Sequence, residues 1–166
     1  MNATLRHVAC LLAVLAAGTF LVSCGNQAVS KDSPYEQPVK VIVKNGTIQD
    51  ISLTSVQASQ PGVIKWMFDP SSETGYIFPD SSSSAPGIAF KIASVASAPS
   101  GSQCTGTPDP GTVIHNCGSK LNGAEYHCNV KKGNAGNCFA YTATVVPAPG
   151  SSASAVPSLD PWVKQQ

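Results

Sequence analysis

An apolar run from Val8 to Val22, behind Arg6 and His7 and ahead of Cys24, opens the chain. It falls short of the roughly 20 apolar residues that a bilayer-spanning helix needs, contains Gly18 and Thr19, and so has the form of an export signal. From Gly25 to Gln37 the periodicity disappears among Lys31, Asp32, Ser33 and Pro34, which predicts a polar tether over 24–37. Alternation begins at Pro38. Val39, Val41 and Val43 occupy one face of a half-buried strand, with Lys40 and Lys44 on the other. Asn45-Gly46 accepts positive φ at both central positions of a type I′ turn, so a hairpin into a second extended segment through Ile48, Ile51 and Leu53 is expected.

After a turn at Pro61-Gly62, the run Val63-Ile64-Lys65-Trp66-Met67-Phe68 predicts a central strand, because aromatic and β-branched side chains bury well on a pleated surface. Shorter apolar runs at Tyr76–Phe78 and Ile88–Ile92 flank a serine loop, Ser81 to Ser84. Phe139, Tyr141, Ala143 and Val145 alternate with Ala140, Thr142, Thr144 and Val146 in what reads as the last strand, closed by Pro147. Ala148 to Gln166 is rich in Ser, Ala and Pro and reads as a disordered tail from which Trp162 could dock back. Short extended segments separated by turns across residues 38–147 predict an all-β, antiparallel β-sandwich, immunoglobulin-like or cupredoxin-like.

The end of the N-terminal run carries a sharper signal. Leu21-Val22-Ser23-Cys24 resembles the lipobox of bacterial lipoproteins, a leucine and two small residues ahead of a cysteine. The resemblance implies thioether lipidation of Cys24, removal of residues 1–23 as a signal peptide, and attachment through acyl chains at about 0.8 kcal/mol per buried methylene. Gly25 follows, in place of the aspartate associated with inner-membrane retention, so the outer membrane is the implied address.

Of six cysteines, Cys10 lies in the signal segment and Cys24 is the lipidation candidate, leaving Cys104, Cys117, Cys128 and Cys138. In an exported chain this even set reads as two disulfides. Their spacings of 12, 10 and 9 intervening residues lack the close pair of a zinc site. If Asn122-Gly123 is a two-residue hairpin loop, partner positions sum to 245. Cys117 then faces Cys128, at a Cα separation of roughly 5.5 Å or less, within disulfide reach. Cys104 would pair with Cys138 by elimination. The same register puts residues 117 and 128 at a hydrogen-bonded site, a less usual place for a bridge, so Cys104–Cys117 with Cys128–Cys138 stays open.

Loss of residues 1–23 removes Arg6, leaving nine basic against nine acidic residues. No charged partner is implied, and a nucleic-acid binder would carry a basic face that this chain lacks. Charged residues make up 11% of the chain, against a typical quarter, and polarity comes instead from Ser, Thr, Asn and Gln.

The succession from the Val39 strand through Pro61–Trp66 to the cysteine- and aromatic-rich C-terminal part resembles the cupredoxin-like modules of bacterial envelope proteins, over Val39 to Val146. Blue copper needs two imidazoles, a thiolate and a weak axial ligand. No His or Met follows Cys138, so the family's ligand loop is missing. His115, His127 and Met67 are the residues left for an ad hoc copper or zinc site, with His127 expected to face Gly118, away from Cys128. No G-x-S-x-G turn or recognisable acid pair is present, and a disulfide-bonded cysteine is no nucleophile. The expectation is a non-catalytic outer-membrane lipoprotein that needs no cofactor, a binding or structural module and surface antigen with an envelope or host protein as partner. A copper-binding or redox module is the alternative. Loops around Ser81–Pro86 and Cys104–Pro110 are where a binding surface is expected.

Overall fold

A computed structural model describes residues 35–49, 51 and 54–166. The export segment, the lipobox with Cys24, and Leu53 lie outside the described residues. Among the described residues twelve strands follow in order: β1 (Tyr35–Val41), β2 (Val43–Lys44), β3 (Thr47–Ile48), β4 (Thr54–Val56), β5 (Gly62–Phe68), β6 (Tyr76–Ile77), β7 (Ile88–Lys91), β8 (Ile114–Lys120), β9 (Glu125–Val130), β10 (Cys138–Ala143), β11 (Val146–Pro147) and β12 (Trp162–Gln165).

Two four-stranded sheets, ordered β1-β5-β9-β8 and β4-β12-β10-β7, face each other across one core. The all-β class and the sandwich are as expected from the alternation. Strand directions are mixed, however. β1 runs parallel to β5 and β4 parallel to β12, and every other pairing between strands is antiparallel. The parallel pairs arise because the chain leaves the first sheet after β1, passes through the β2–β3 hairpin, contributes β4 to the second sheet, and only then returns as β5. Such a crossover is what parallel neighbours require.

Local chemistry accounts for the elements. Val39, Val41 and Val43 are buried on one side of the chain while Lys40 and Lys44 are exposed. Asn45 and Gly46 have φ of 52° and 66°, the two positive values of a type I′ turn, and they set the register Val43↔Ile48 and Lys44↔Thr47. β5 is central, and its inward residues Ile64 and Trp66 are fully buried. The Trp66 ring meets Tyr141, Phe90 and Tyr126 edge-on, with centroids 5.4, 6.1 and 6.5 Å away. Aromatic pairs favour this geometry because the positive ring edge meets the negative face.

The domain extends beyond the expected limits of 38–147 at both ends. Tyr35 to Gln37, assigned above to the tether, pair with Gly62 to Ile64. Residues 162–165 form an interior strand between β4 and β10, with Trp162 and Val163 buried, so β10 is not the last strand and 148–166 is not a loose appendage. Trp162 does dock back, as part of a strand. Lys164 and Gln165 are buried as well, and the Gln165 side chain donates to the Lys131 carbonyl and accepts from Asn137. Pro147 likewise does not end the structure, since Val146-Pro147 pairs with Tyr76-Ile77. The outer side of β10 is covered too, with Ala140, Cys138 and Trp162 packed against Ala93, Ala98 and Cys104.

Candidate functional site

The β8–β9 hairpin fixes one wall of the candidate site. Its pairs Gly118↔His127, Ser119↔Tyr126 and Lys120↔Glu125 all sum to 245, the register expected from Asn122-Gly123. The connection is longer than the two-residue loop expected. Leu121, Asn122 and Gly123 all have positive φ (50°, 56° and 87°), and the Ala124 N–H donates to the Leu121 carbonyl at 3.2 Å. Gly123 is required here. A Cβ would come within 2.6 Å of the Ile77 side chain, and the Gly123 carbonyl accepts from the Phe78 N–H at 2.8 Å.

Beyond Gly118 the register slips by one, to His115↔Asn129 and Ile114↔Val130. Asn116 and Cys117 together oppose Cys128, a bulge made possible by Asn116 at a φ of 50°. The bridge Cys117–Cys128 forms at this bulge with a Cα separation of 4.1 Å, and Cys104–Cys138 forms at 5.7 Å. Both expected disulfides are present, and the alternative pairing is excluded.

β8 and β7 are edge strands of the two sheets. Between them lies a cleft of about 340 Å³, floored by Ile88, Phe90, Ile114 and Cys117 and bordered by Ser81, Pro86, Asp109 and Pro110. The loops expected to carry a binding surface are thus the ones that meet here. Asp109 caps the short turn Pro110–Val113 by accepting from the Gly111 N–H at 2.9 Å. Asp80 ties the serine loop to β8, accepting from Ser82 N–H and from Ser119 Oγ, both at 3.1 Å. Chiefly the Ser82 backbone, then the Ser119 hydroxyl, hold its carboxyl below the usual range.

Tyr126 projects from β9 into this region and is fully buried. Its hydroxyl sits beside the Ile88 backbone with no well-formed hydrogen bond among the described residues. Burial, with the Asp80 charge second, raises its pKa. No sequence signal marked Tyr126 as special, because its role depends on which edge strands flank it.

The three metal candidates occupy the outer face of the first sheet. Met67 is opposite Glu125, His127 is opposite Lys65 and Gly118, and His115 is opposite Asn129, so Met67, His127 and His115 follow a diagonal. His127 faces Gly118 as expected. Its Nε2 is 2.7 Å from Glu125, which also receives Lys65 at 3.5 Å. The hydrogen bond from His127, with help from Lys65, lowers the Glu125 pKa. The His115 Nδ1 is buried without a partner among the described residues. These residues do not fit a blue-copper centre, since Cys104, Cys117, Cys128 and Cys138 are all in disulfides and none supplies a thiolate. Among the described residues no group of three His, Cys, Asp or Glu side chains is placed to hold a metal ion.

A second groove, beside β1, β4 and Gln166, is polar. Among the described residues no helix is long and apolar enough to cross a membrane. What the fold and cleft define is a class, a two-disulfide all-β sandwich with a cleft between two sheet edges. No protein-family model, curated protein or solved structure matches the chain.

Proposed function

We propose that this protein is a non-catalytic binding module of the bacterial outer membrane, anchored through lipid on Cys24, whose binding face is the cleft between β7 and β8. The observation that carries the reading is the cleft itself. It joins an apolar floor, two sheet edges and a buried tyrosine hydroxyl beneath the Ser81–Pro86 and Asp109–Gly111 loops. Sites for partners are commonly built this way, from loops held by rigid strands. The partner is an envelope or host protein, and a surface-exposed chain of this kind would be antigenic. Support for the anchor comes from Leu21-Val22-Ser23-Cys24 behind an apolar run. Replacement Cys24→Ala tests it: the variant is expected in the aqueous fraction after detergent phase separation, with the unaltered chain in the detergent fraction. Identical partitioning of the two would overturn the anchor.

A copper-binding module is the second reading, favoured by the diagonal of Met67, His127 and His115 on one sheet face. Copper titration of the disulfide-intact protein separates the two. Stoichiometric binding abolished by His115→Ala with His127→Ala supports the second reading, and absence of binding rejects it.

A further inference from the structure

Resting on the proposal that the β7–β8 cleft is the binding face, we infer that it takes up an extended, cationic peptide segment of a partner protein as an added strand on β7. The backbone makes the case first. Thr144 N–H donates to the Gly87 carbonyl, and Tyr141 N–H turns the other way, to the Pro161 carbonyl. Alternation along the antiparallel β7–β10 pair therefore directs residues 87, 89 and 91 of β7 inward to β10, and Ile88 and Phe90 outward. The Ile88 N–H is partly covered by the Tyr126 hydroxyl. The Phe90 N–H and carbonyl face the cleft with no backbone partner among the described residues.

On the opposite wall, Lys131 N–H donates to the Val113 carbonyl, so by the same alternation Ile114 of β8 turns its backbone groups outward. The Ile114 N–H is taken by the Pro110 carbonyl, so β7 is the wall that offers a strand-like edge. A chain lying along it meets the Phe90 backbone groups over an apolar floor that accepts every second side chain, the arrangement used in strand addition. Natural edges are usually blunted by a lysine or proline. Lys91 at the end of β7 is instead drawn to Asp160 on the other side, at 2.7 Å, and Ile92 beyond it is 80% exposed.

Charge selects the peptide. Asp69, Asp160 and Glu125 are each within 4 Å of a lysine. Asp80 and Asp109, beside the cleft, have hydroxyl and backbone partners but no cation among the described residues. A Lys- or Arg-bearing peptide satisfies both. A second copy of this chain does not, because edge-to-edge pairing would bring the same two carboxylates together.

Displayed random linear peptides, selected against the full disulfide-intact chain, supply the probe. Enriched sequences are expected to alternate apolar residues with Lys or Arg and, once synthesised, to slow amide exchange at Phe90. Their binding is expected to weaken about fivefold in the Asp80→Asn, Asp109→Asn double variant, the effect of losing two exposed ion pairs. Peptides that protect Phe90 without carrying basic residues would overturn the cationic strand while leaving the cleft as the binding face. Enriched peptides that leave Phe90 exchange unchanged, or a failure to enrich any, would overturn both.

Discussion

The indole N–H of Trp66 donates to the hydroxyl of Tyr141 at 3.1 Å, from the central strand of one sheet to an interior strand of the other. Both side chains are fully buried, and burial raises the Tyr141 pKa. The bond therefore specifies how the sheets face each other in a place where water cannot substitute. Tyr141→Phe removes the acceptor and strands the indole N–H, at an expected cost of about 1 to 3 kcal/mol. A lower urea midpoint at unchanged slope checks it.

The two disulfides differ in the loops they close. Cys104–Cys138 spans a separation of 34 residues and Cys117–Cys128 one of 11. Loop-closure entropy makes the longer constraint worth about 1 kcal/mol more. Replacing Cys104 and Cys138 by Ala is thus expected to lower stability more than replacing Cys117 and Cys128. Chemical denaturation of the two double variants compares them directly.

Val163, fully buried in β12, pairs with Phe139 on one side and Thr54 on the other. A chain ending at Asp160 loses an interior strand and exposes two sheet edges. It is expected to lose its cooperative thermal transition, whereas a dispensable tail would leave that transition unchanged.

That strand also shows where sequence reading stops. Pro161-Trp162-Val163-Lys164-Gln165 has no two-residue alternation, and its glutamine can be buried because Asn137 and the Lys131 carbonyl meet its amide. Nothing local encodes such partners. The parallel pairings of β1 with β5 and of β4 with β12 are equally invisible, since no turn connects those strands. By contrast, the Asn45-Gly46 hairpin, the central strand at Val63–Phe68 and the Cys117–Cys128 bridge were legible, because turn chemistry and period-two burial act over a few residues. Of the cleft, the loops could be anticipated. Tyr126 and the cleft-facing Phe90 backbone could not, as both follow from sheet order.

Acid should weaken the fold in a defined window. The Ser71 backbone N–H, then the Ser71 side chain and the Lys40 ammonium, lower the Asp69 pKa from 3.8 to about 2. Lys91 and Thr142 lower that of Asp160. A carboxyl with a depressed folded-state pKa binds protons more readily in the unfolded chain. Its contribution is present above the unfolded value and is lost as pH falls through the folded one. Unfolding midpoints are expected to stay level from neutral pH down to about 4 and then drop toward pH 2, with a shallower drop in Asp69→Asn.

The two disulfides of the sandwich and the proposed lipid anchor at Cys24 can be tested in one experiment. Intact mass of the native protein extracted from membranes, before and after reduction with thiol alkylation, tests these together. The predicted result is the mass of residues 24–166 plus acylglycerol groups, with the thiols of Cys104, Cys117, Cys128 and Cys138 alkylated only after reduction. An unlipidated mass, or any of those thiols alkylated before reduction, would contradict it.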